Sequence, residues 1–116
     1  MSEIVIYQKP TCTTCRKVSA FLKEAGVRFD AVDYYLDPIP KSKLKELLKK
    51  MGIPASKLLR KKEPIYKELN LANRQLSENE LIDLMAKHSD LMERPIVEKG
   101  AKAILARPPE KIKEIL

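Results

Sequence analysis

A CxxC pair, Cys12 and Cys15, stands between a short apolar run and a helical pattern, and the chain as a whole reads β-α-β, several helices, then β-β-α. These two observations predict an α/β chain with a thioredoxin-like fold and a mixed four-stranded sheet, since a CxxC beside a βαβ pattern is the sequence mark of that redox architecture. With 116 residues the chain has enough material for one ordinary core. A single domain over 1–116 is therefore expected, with a helical insertion over about 41–90.

The elements follow in order. Ile4, Val5, Ile6 and Tyr7 form a β-branched apolar run that Pro10 stops, which predicts a buried strand over 3–7. Thr11 to Thr14 supply the first turn of a helix running to about Ala25, with Val18, Phe21 and Leu22 at helical spacing and Gly26 as the stop. "VRFDAVDYY", from 27, alternates Val27, Phe29 and Ala31 with Arg28 and Asp30 and reads as a second strand.

Pro38 and Pro40 break that pattern. Leu44, Leu47, Leu48 and Met51 then mark the inner stripe of an amphipathic helix ending at Gly52. "KLLRKKEPIYKELN" predicts one or two short helices separated by Pro64, and "SENELIDLMAKH" carries a capping box, Ser77 with Glu80, ahead of Leu81, Leu84 and Met85. Strand character returns in "RPIV" at 94–97 and "AKAILA" at 101–106, with a turn at 98–100. "RPPEKIKEIL" predicts a closing helix whose Ile112, Ile115 and Leu116 pack back on the sheet.

Composition narrows the function class. At 44% hydrophobic and 34% charged, with 3 Gly, the chain is a globular protein and not a disordered one. No apolar run approaches the roughly 20 residues that span a bilayer, and "MSEIVIYQ" lacks the pattern of a signal peptide, so a cytoplasmic location without membrane contact is expected. In that reducing compartment a catalytic or sensing thiol pair is favoured over a structural disulfide.

The net charge of +7 resides in 41–63, "KSKLKELLKKMGIPASKLLRKKE", where nine basic residues face two glutamates. Such a run is read first as a solvated helix face and second as a means of steering an anion or meeting an acidic partner. No direct nucleic-acid binding is expected, because none of the four tyrosines and two phenylalanines falls within that stretch.

A thiol attacks as its thiolate, and a cysteine at a helix N-terminus has its pKa lowered by the unpaired backbone donors there. Cys12 occupies that place. Cys15, one turn on, is suited to resolve an adduct formed on Cys12 by closing a disulfide with it. No bound metal or cofactor is expected, since tetrahedral zinc needs four ligands and the chain offers two cysteines and one histidine, His88. His88 follows a helical stripe, where a base suits the helix C-terminus. Tyr34, Tyr35 and Tyr66 read as core or interface residues with a polar tip.

Further along stand "YQKPTC", "YYLDPIP" at 34–40, "KLLRKKEPIYKELNL" at 57–71, "LIDLMAKH" at 81–88 and "ERPIVEKGAKAILARP" at 93–108. Together they resemble the glutaredoxin-linked arsenate reductase (ArsC) family and its Spx-type relatives over nearly the whole chain. The resemblance implies that Cys12 attacks the oxyanion and that Arg60, Arg94 and Arg107 bind it. Planar guanidinium groups suit a tetrahedral oxyanion, which they grip bidentately. It also implies that Pro95 lies beside the active cysteine after a cis peptide bond.

The implied reductant is an external thiol, glutathione with glutaredoxin or, given Cys15, thioredoxin. Two positions depart from the family's plasmid-type enzymes: Cys15 adds an internal resolver, and Gln8 stands where those enzymes carry a histidine. Three functions remain open at this point. One is a reductase of arsenate or a similar oxyanion. Another is an Spx-type regulator that binds RNA polymerase and uses Cys12 and Cys15 as a disulfide switch. The third is a general thiol-disulfide reductase.

Overall fold

Ile4 and Ile6 alternate with Val5 and Tyr7 along an extended run, and three of the four are buried. In the computed structural model, which describes residues 4–9 and 11–116, this run is strand β1 (Ile4–Gln8). The start expected at Glu3 and the stop expected at Pro10 lie outside the described residues. The chain divides into two compact units, one formed by Met1–Asp37 with Arg94–Leu116 and the other by Pro38–Glu93.

The first unit is α/β with a thioredoxin-like arrangement. Its mixed four-stranded sheet has the order β2-β1-β3-β4, with β2 at Phe29–Asp33, β3 at Ile96–Lys99 and β4 at Lys102–Leu105. β2 runs parallel to β1, with Ile4 opposite Phe29. β3 is antiparallel to β1 with Tyr7 opposite Ile96, and β4 is antiparallel to β3 with Ile96 opposite Leu105.

Helix α1 (Thr13–Glu24) buries Cys15, Val18 and Leu22, a spacing that places all three on one face. It ends at Gly26, whose φ of +70° suits a residue without Cβ. Val18 and Leu22 join Ile4, Ile6, Val97, Ala106, Ile112 and Ile115 in the core, with Phe21, Val27, Phe29 and Ile104 packed around them.

Several boundaries differ from the expectations. β2 stops at Asp33 because its Oδ1 accepts the N–H of Tyr35 at 3.0 Å, an Asx-type turn that takes the backbone out of the ladder. Ala31, expected inward, is exposed on this edge strand. The hairpin is displaced toward the C-terminus relative to the expected 94–97 and 101–106. Pro95 has no N–H for a ladder, so pairing begins at Ile96, and the turn falls after Lys99, where Gly100 adopts φ +58°. Glu98, expected in the turn, is a buried strand residue whose Oε1 accepts the hydroxyl of Tyr7 at 3.1 Å.

The closing helix is 3-10 over Pro109–Glu114, held by i to i+3 bonds such as Lys111 N–H to Pro108 O. Ile112 and Ile115 pack inward as expected, but Leu116 remains exposed.

The second unit is helical. Helix α2 (Lys41–Met51) buries Leu44, Leu47 and Leu48 and ends at Gly52 with φ +68°. Helix α3 (Ala55–Leu58) has its first N–H satisfied by the carboxylate of Glu78, at 3.0 and 3.1 Å. Pro64, expected to separate two helices, instead occupies the first turn of α4 (Pro64–Glu68), where its missing N–H costs no helical bond. Helix α5 (Glu78–Lys87) carries the complete capping box of Ser77 and Glu80 and buries Leu81, Ile82 and Met85. Leu84, expected in that stripe, is only half-buried.

Among the described residues no helix is long and apolar enough to cross a membrane. Leu22→Ala should lower stability by about 2–5 kcal/mol, because it opens a cavity in the core. Ser77→Ala should lower it by about 1 kcal/mol through loss of the cap. Urea unfolding of the two variants beside the parent chain checks both values.

Candidate active site

The strand directions decide which loops meet. Parallel β1 and β2 end at the same edge of the sheet, antiparallel β3 begins there, and β4, antiparallel to β3, ends there. The segments beyond those ends carry Cys12, Tyr34 with Tyr35, Arg94 with Pro95, and Arg107. Four stretches far apart in sequence thus deliver a thiol, two phenols and two guanidinium groups to one place.

Cys12 is the N-cap of α1, in an extended conformation, and its carbonyl accepts the N–H of Arg16 at 3.1 Å. Its Sγ accepts the backbone N–H of Cys15 at 3.4 Å, as a capping side chain does. Burial alone would push this thiol up. Hydrogen bonds from the Cys15 thiol and N–H, together with the Arg94 guanidinium, outweigh it and hold Cys12 below the ordinary thiol value. Cys15 shows the opposite response: burial first, then its hydrogen bond to Cys12, pushes it up to about 12. Two cysteines one turn apart therefore divide into a half-buried, activated sulfur and a buried, protonated one.

Arg94 is 6% exposed. A buried guanidinium requires partners, and its Nη1 donates to the Tyr35 hydroxyl at 3.2 Å. The peptide bond from Arg94 to Pro95 is cis, as expected, and Pro95 is buried. A second cis bond joins Arg107 to Pro108. Arg107 approaches from the end of β4, and its Nη1 donates to the carbonyl oxygen of Arg94 at 3.1 Å. Both arginines thus gather about one backbone junction in the same unit as Cys12.

Arg60 belongs to the other unit. Its backbone N–H donates to Leu91 O at 2.7 Å beside the bridge between Leu59 and Met92. Its guanidinium is held by Glu63 at 2.8 Å and lies 3.6 Å from Glu93.

Gln8 accepts a hydrogen bond from the Ser19 hydroxyl through Oε1, at 3.2 Å. His88 is the C-cap of α5, consistent with the helix-end reading. Within the basic stretch Lys41 pairs with Asp83, and Lys43 and Lys50 pair with Glu46, as on a solvated face. Among the described residues there is no group of three or more His, Cys, Asp or Glu able to hold a metal.

Tyr34 and Tyr35 are the residues whose place at the site sequence reasoning missed. Tyr34 is buried as expected, and the hydroxyl of its neighbour Tyr35 meets Arg94. The rings lie 5.1 Å apart between centroids, and the Lys9 ammonium sits 4.8 Å above the Tyr35 ring. The only available signal was their position just after the second strand of the β-α-β pattern, whose first strand leads into the thiols.

The split between the thiols has a direct consequence. Thiolate is the reacting form, so iodoacetamide labelling of Cys12 should rise with pH through a midpoint below the usual thiol value. Cys15 should stay unlabelled until the chain is unfolded or the pH nears 12. Peptide mass mapping across a pH series reads both, and equal labelling of the two at neutral pH would contradict the assignment.

Comparison with known proteins places this geometry. The sequence pattern of the ArsC family matches residues 7–115. The chain is 44% identical to an uncharacterised protein of Escherichia coli strain K12, YfgD, over 98% of this chain and 97% of that one. It is 39% identical to an arsenate reductase of Haemophilus influenzae, covering 97% and 98% of the two chains. Among solved structures, an arsenate reductase from Vibrio cholerae superposes with a TM-score of 0.92 at 38% identity, covering 97% of each chain. The match runs through the thiol loop and all three arginine segments, and the chain belongs to the ArsC family.

Proposed function

We propose that this protein is an arsenate reductase-like thiol oxidoreductase in which Cys12 attacks arsenate or a similar oxyanion. The observation that carries the reading is the Cys12 sulfur itself: it caps a helix, accepts a backbone N–H and is held below the ordinary thiol value beside a buried arginine. Membership of the ArsC family, with relatives named arsenate reductase, supplies the substrate class. In this reading Arg60, Arg94 and Arg107 bind the oxyanion, and the chain acts as one domain into which the helical segment is inserted.

The chemistry balances as two thiol oxidations against one two-electron reduction. The Cys12 thiolate forms an S–As bond while one As–O bond breaks, and that oxygen leaves protonated. Guanidinium groups compensate the charge on the remaining oxygens as the bond forms. A second thiol then attacks the Cys12 sulfur and forms a disulfide. The S–As electron pair passes to arsenic, which leaves as arsenite. The second thiol is Cys15 or glutathione; glutaredoxin or thioredoxin restores the reduced form, as a reducing cytoplasm would allow. The contact between the two cysteines supports the internal route. Relatives bearing the name arsenate reductase favour this enzyme over the regulator that binds RNA polymerase.

Arsenate-dependent turnover should be seen with glutathione plus glutaredoxin, with thioredoxin, or with both, and should vanish in Cys12→Ser. No turnover with either reductant would refute the reading. Arg94→Lys should lower kcat/KM by roughly a hundredfold, since an ammonium cannot reproduce a bidentate grip at the reacting centre. Cys15→Ser should abolish the thioredoxin route and spare the glutathione route; loss of neither would remove Cys15 as resolver.

A further inference from the structure

We propose that a cavity beside helix α1 binds the second thiol of the reaction, and that it takes a short peptide-like thiol with a carboxylate at each end. The inference rests on the reading of Cys12 as the nucleophile and adds to it the place from which an external thiol attacks the Cys12 adduct. The cavity has a volume of about 360 Å³, within the range of small-molecule sites, and is lined by Gln8, Arg16, Ser19, Ala20 and Lys23. All five belong to the same compact unit as Cys12. Two are cationic and none is acidic, so the ligand that fits is an anion.

Arg16, Ser19, Ala20 and Lys23 recur at the spacing that places residues on one face of a helix. Cys12 heads that face. As the N-cap its carbonyl oxygen accepts the N–H of Arg16 at 3.1 Å, so Arg16 stands one turn beyond the thiol residue. Lys23 follows Arg16 by seven positions, a rise of about 10 Å along the axis. An extended tripeptide spans about the same length. Carboxylates at its two ends therefore match two cations at this separation. Helical side chains lean toward the N-terminus, which brings both cationic heads about one turn nearer the sulfur and sets the middle of the grip about one turn from Cys12. A thiol on the central residue then falls beside the Cys12 sulfur.

Charge alone would attract many anions, and the polar groups between the cations select a peptide. The Ser19 hydroxyl donates to Gln8 Oε1 at 3.2 Å, which orients both side chains. That bond leaves the Ser19 oxygen able to accept and the Gln8 amide nitrogen able to donate, the two functions that a peptide N–H and C=O require. Ala20 adds only a methyl group, so a peptide backbone has room to lie against the helix. The cations assigned to the oxyanion in this unit come from other segments, Arg94 before β3 and Arg107 after β4. Oxyanion and second thiol thus draw on separate donors. Glutathione has the form that the cavity selects.

The test follows thiol exchange at Cys12 in full chains carrying Cys15→Ser. Dipyridyl disulfide first activates the chain: the Cys12 thiolate displaces one thiopyridone and forms a mixed disulfide with the other half. An added thiolate then attacks the Cys12 sulfur and forms a new disulfide, while the second thiopyridone leaves with the electron pair of the broken S–S bond and is read by absorbance. The probes are glutathione and its diethyl ester, the same thiol without its two negative charges. At equal thiolate concentration glutathione should react roughly tenfold faster than the ester. That ratio should fall about threefold in Arg16→Ala and in Lys23→Ala, with the ester's own rate unchanged. Lys17→Ala, exposed on α1 but outside the cavity lining, should leave the ratio in place.

A ratio near one in the parent, a ratio retained in either Arg16→Ala or Lys23→Ala, or an equal fall in Lys17→Ala overturns the proposal. The last result would mean general attraction by a basic chain rather than a site. Arg16 and Lys23 are both exposed and alanine favours helix, so the fold should persist. Circular dichroism verifies it, and Arg16→Gln or Lys23→Gln replaces any alanine variant that fails to fold. Exchange needs no arsenate. A chain without arsenate turnover but with charge-dependent exchange would refute the proposed reaction and leave this inference standing, whereas turnover with glutathione and no charge dependence would refute this inference alone.

Discussion

A guanidinium taken out of water beside a sulfur is the interaction on which the site depends. Burying the Arg94 cation costs several kcal/mol unless its donors and its charge are matched, and a thiol that ionises beside it supplies part of that match. The arrangement is reciprocal. The cation favours the Cys12 thiolate, and the sulfur with two phenols favours the cation, which lifts Arg94 above its usual range. Cys15 completes the balance by donating to Cys12 rather than competing with it, and burial keeps its own proton in place. Two chemically identical side chains acquire opposite tendencies from a single helical turn and a difference in burial.

That interaction exists because of strand polarity. A sheet ordered β2-β1-β3-β4, with one parallel and two antiparallel pairings, brings three strand ends and one strand start to the same edge. Reversing any one of those strands would carry its site residues to the far edge. The core beneath is ordinary: Ile4, Ile6, Val18, Leu22 and Val97 close-pack helix on sheet. Its contribution to function is to hold the edge rigid, so that groups donated by separate loops keep hydrogen-bond geometry.

The elements legible in the sequence were those whose signal is local. The CxxC, the capping box at Ser77 and Glu80, the stop at Gly52 and the leucine stripe of α2 depend on neighbours within a turn or two, and they appear where expected. The misplaced boundaries share a different cause. The ends of β2 and of the hairpin were set by a side-chain bond from Asp33 and by the missing N–H of Pro95, both of which compete with the β propensity that sequence patterns measure. Glu98 looked like a turn residue because a charged side chain seldom lies in a buried strand. The hydroxyl of Tyr7, ninety-one positions away, donates to its carboxylate there.

The sequence by itself determined the class of chemistry and its central atom: a cysteine at the start of a helix is activated wherever that helix packs, because the donors that activate it belong to the helix's own first turn. It also determined, through the resemblance carried by its arginine segments, the family to which the chain belongs. Only the tertiary structure decided which groups accompany that cysteine. Tyr34 and Tyr35 are indistinguishable from core tyrosines in a one-dimensional reading, and Arg94 from a surface arginine. The contact among them is made by strands whose order and direction arise from pairing across the sheet, a nonlocal choice that no short stretch of residues encodes.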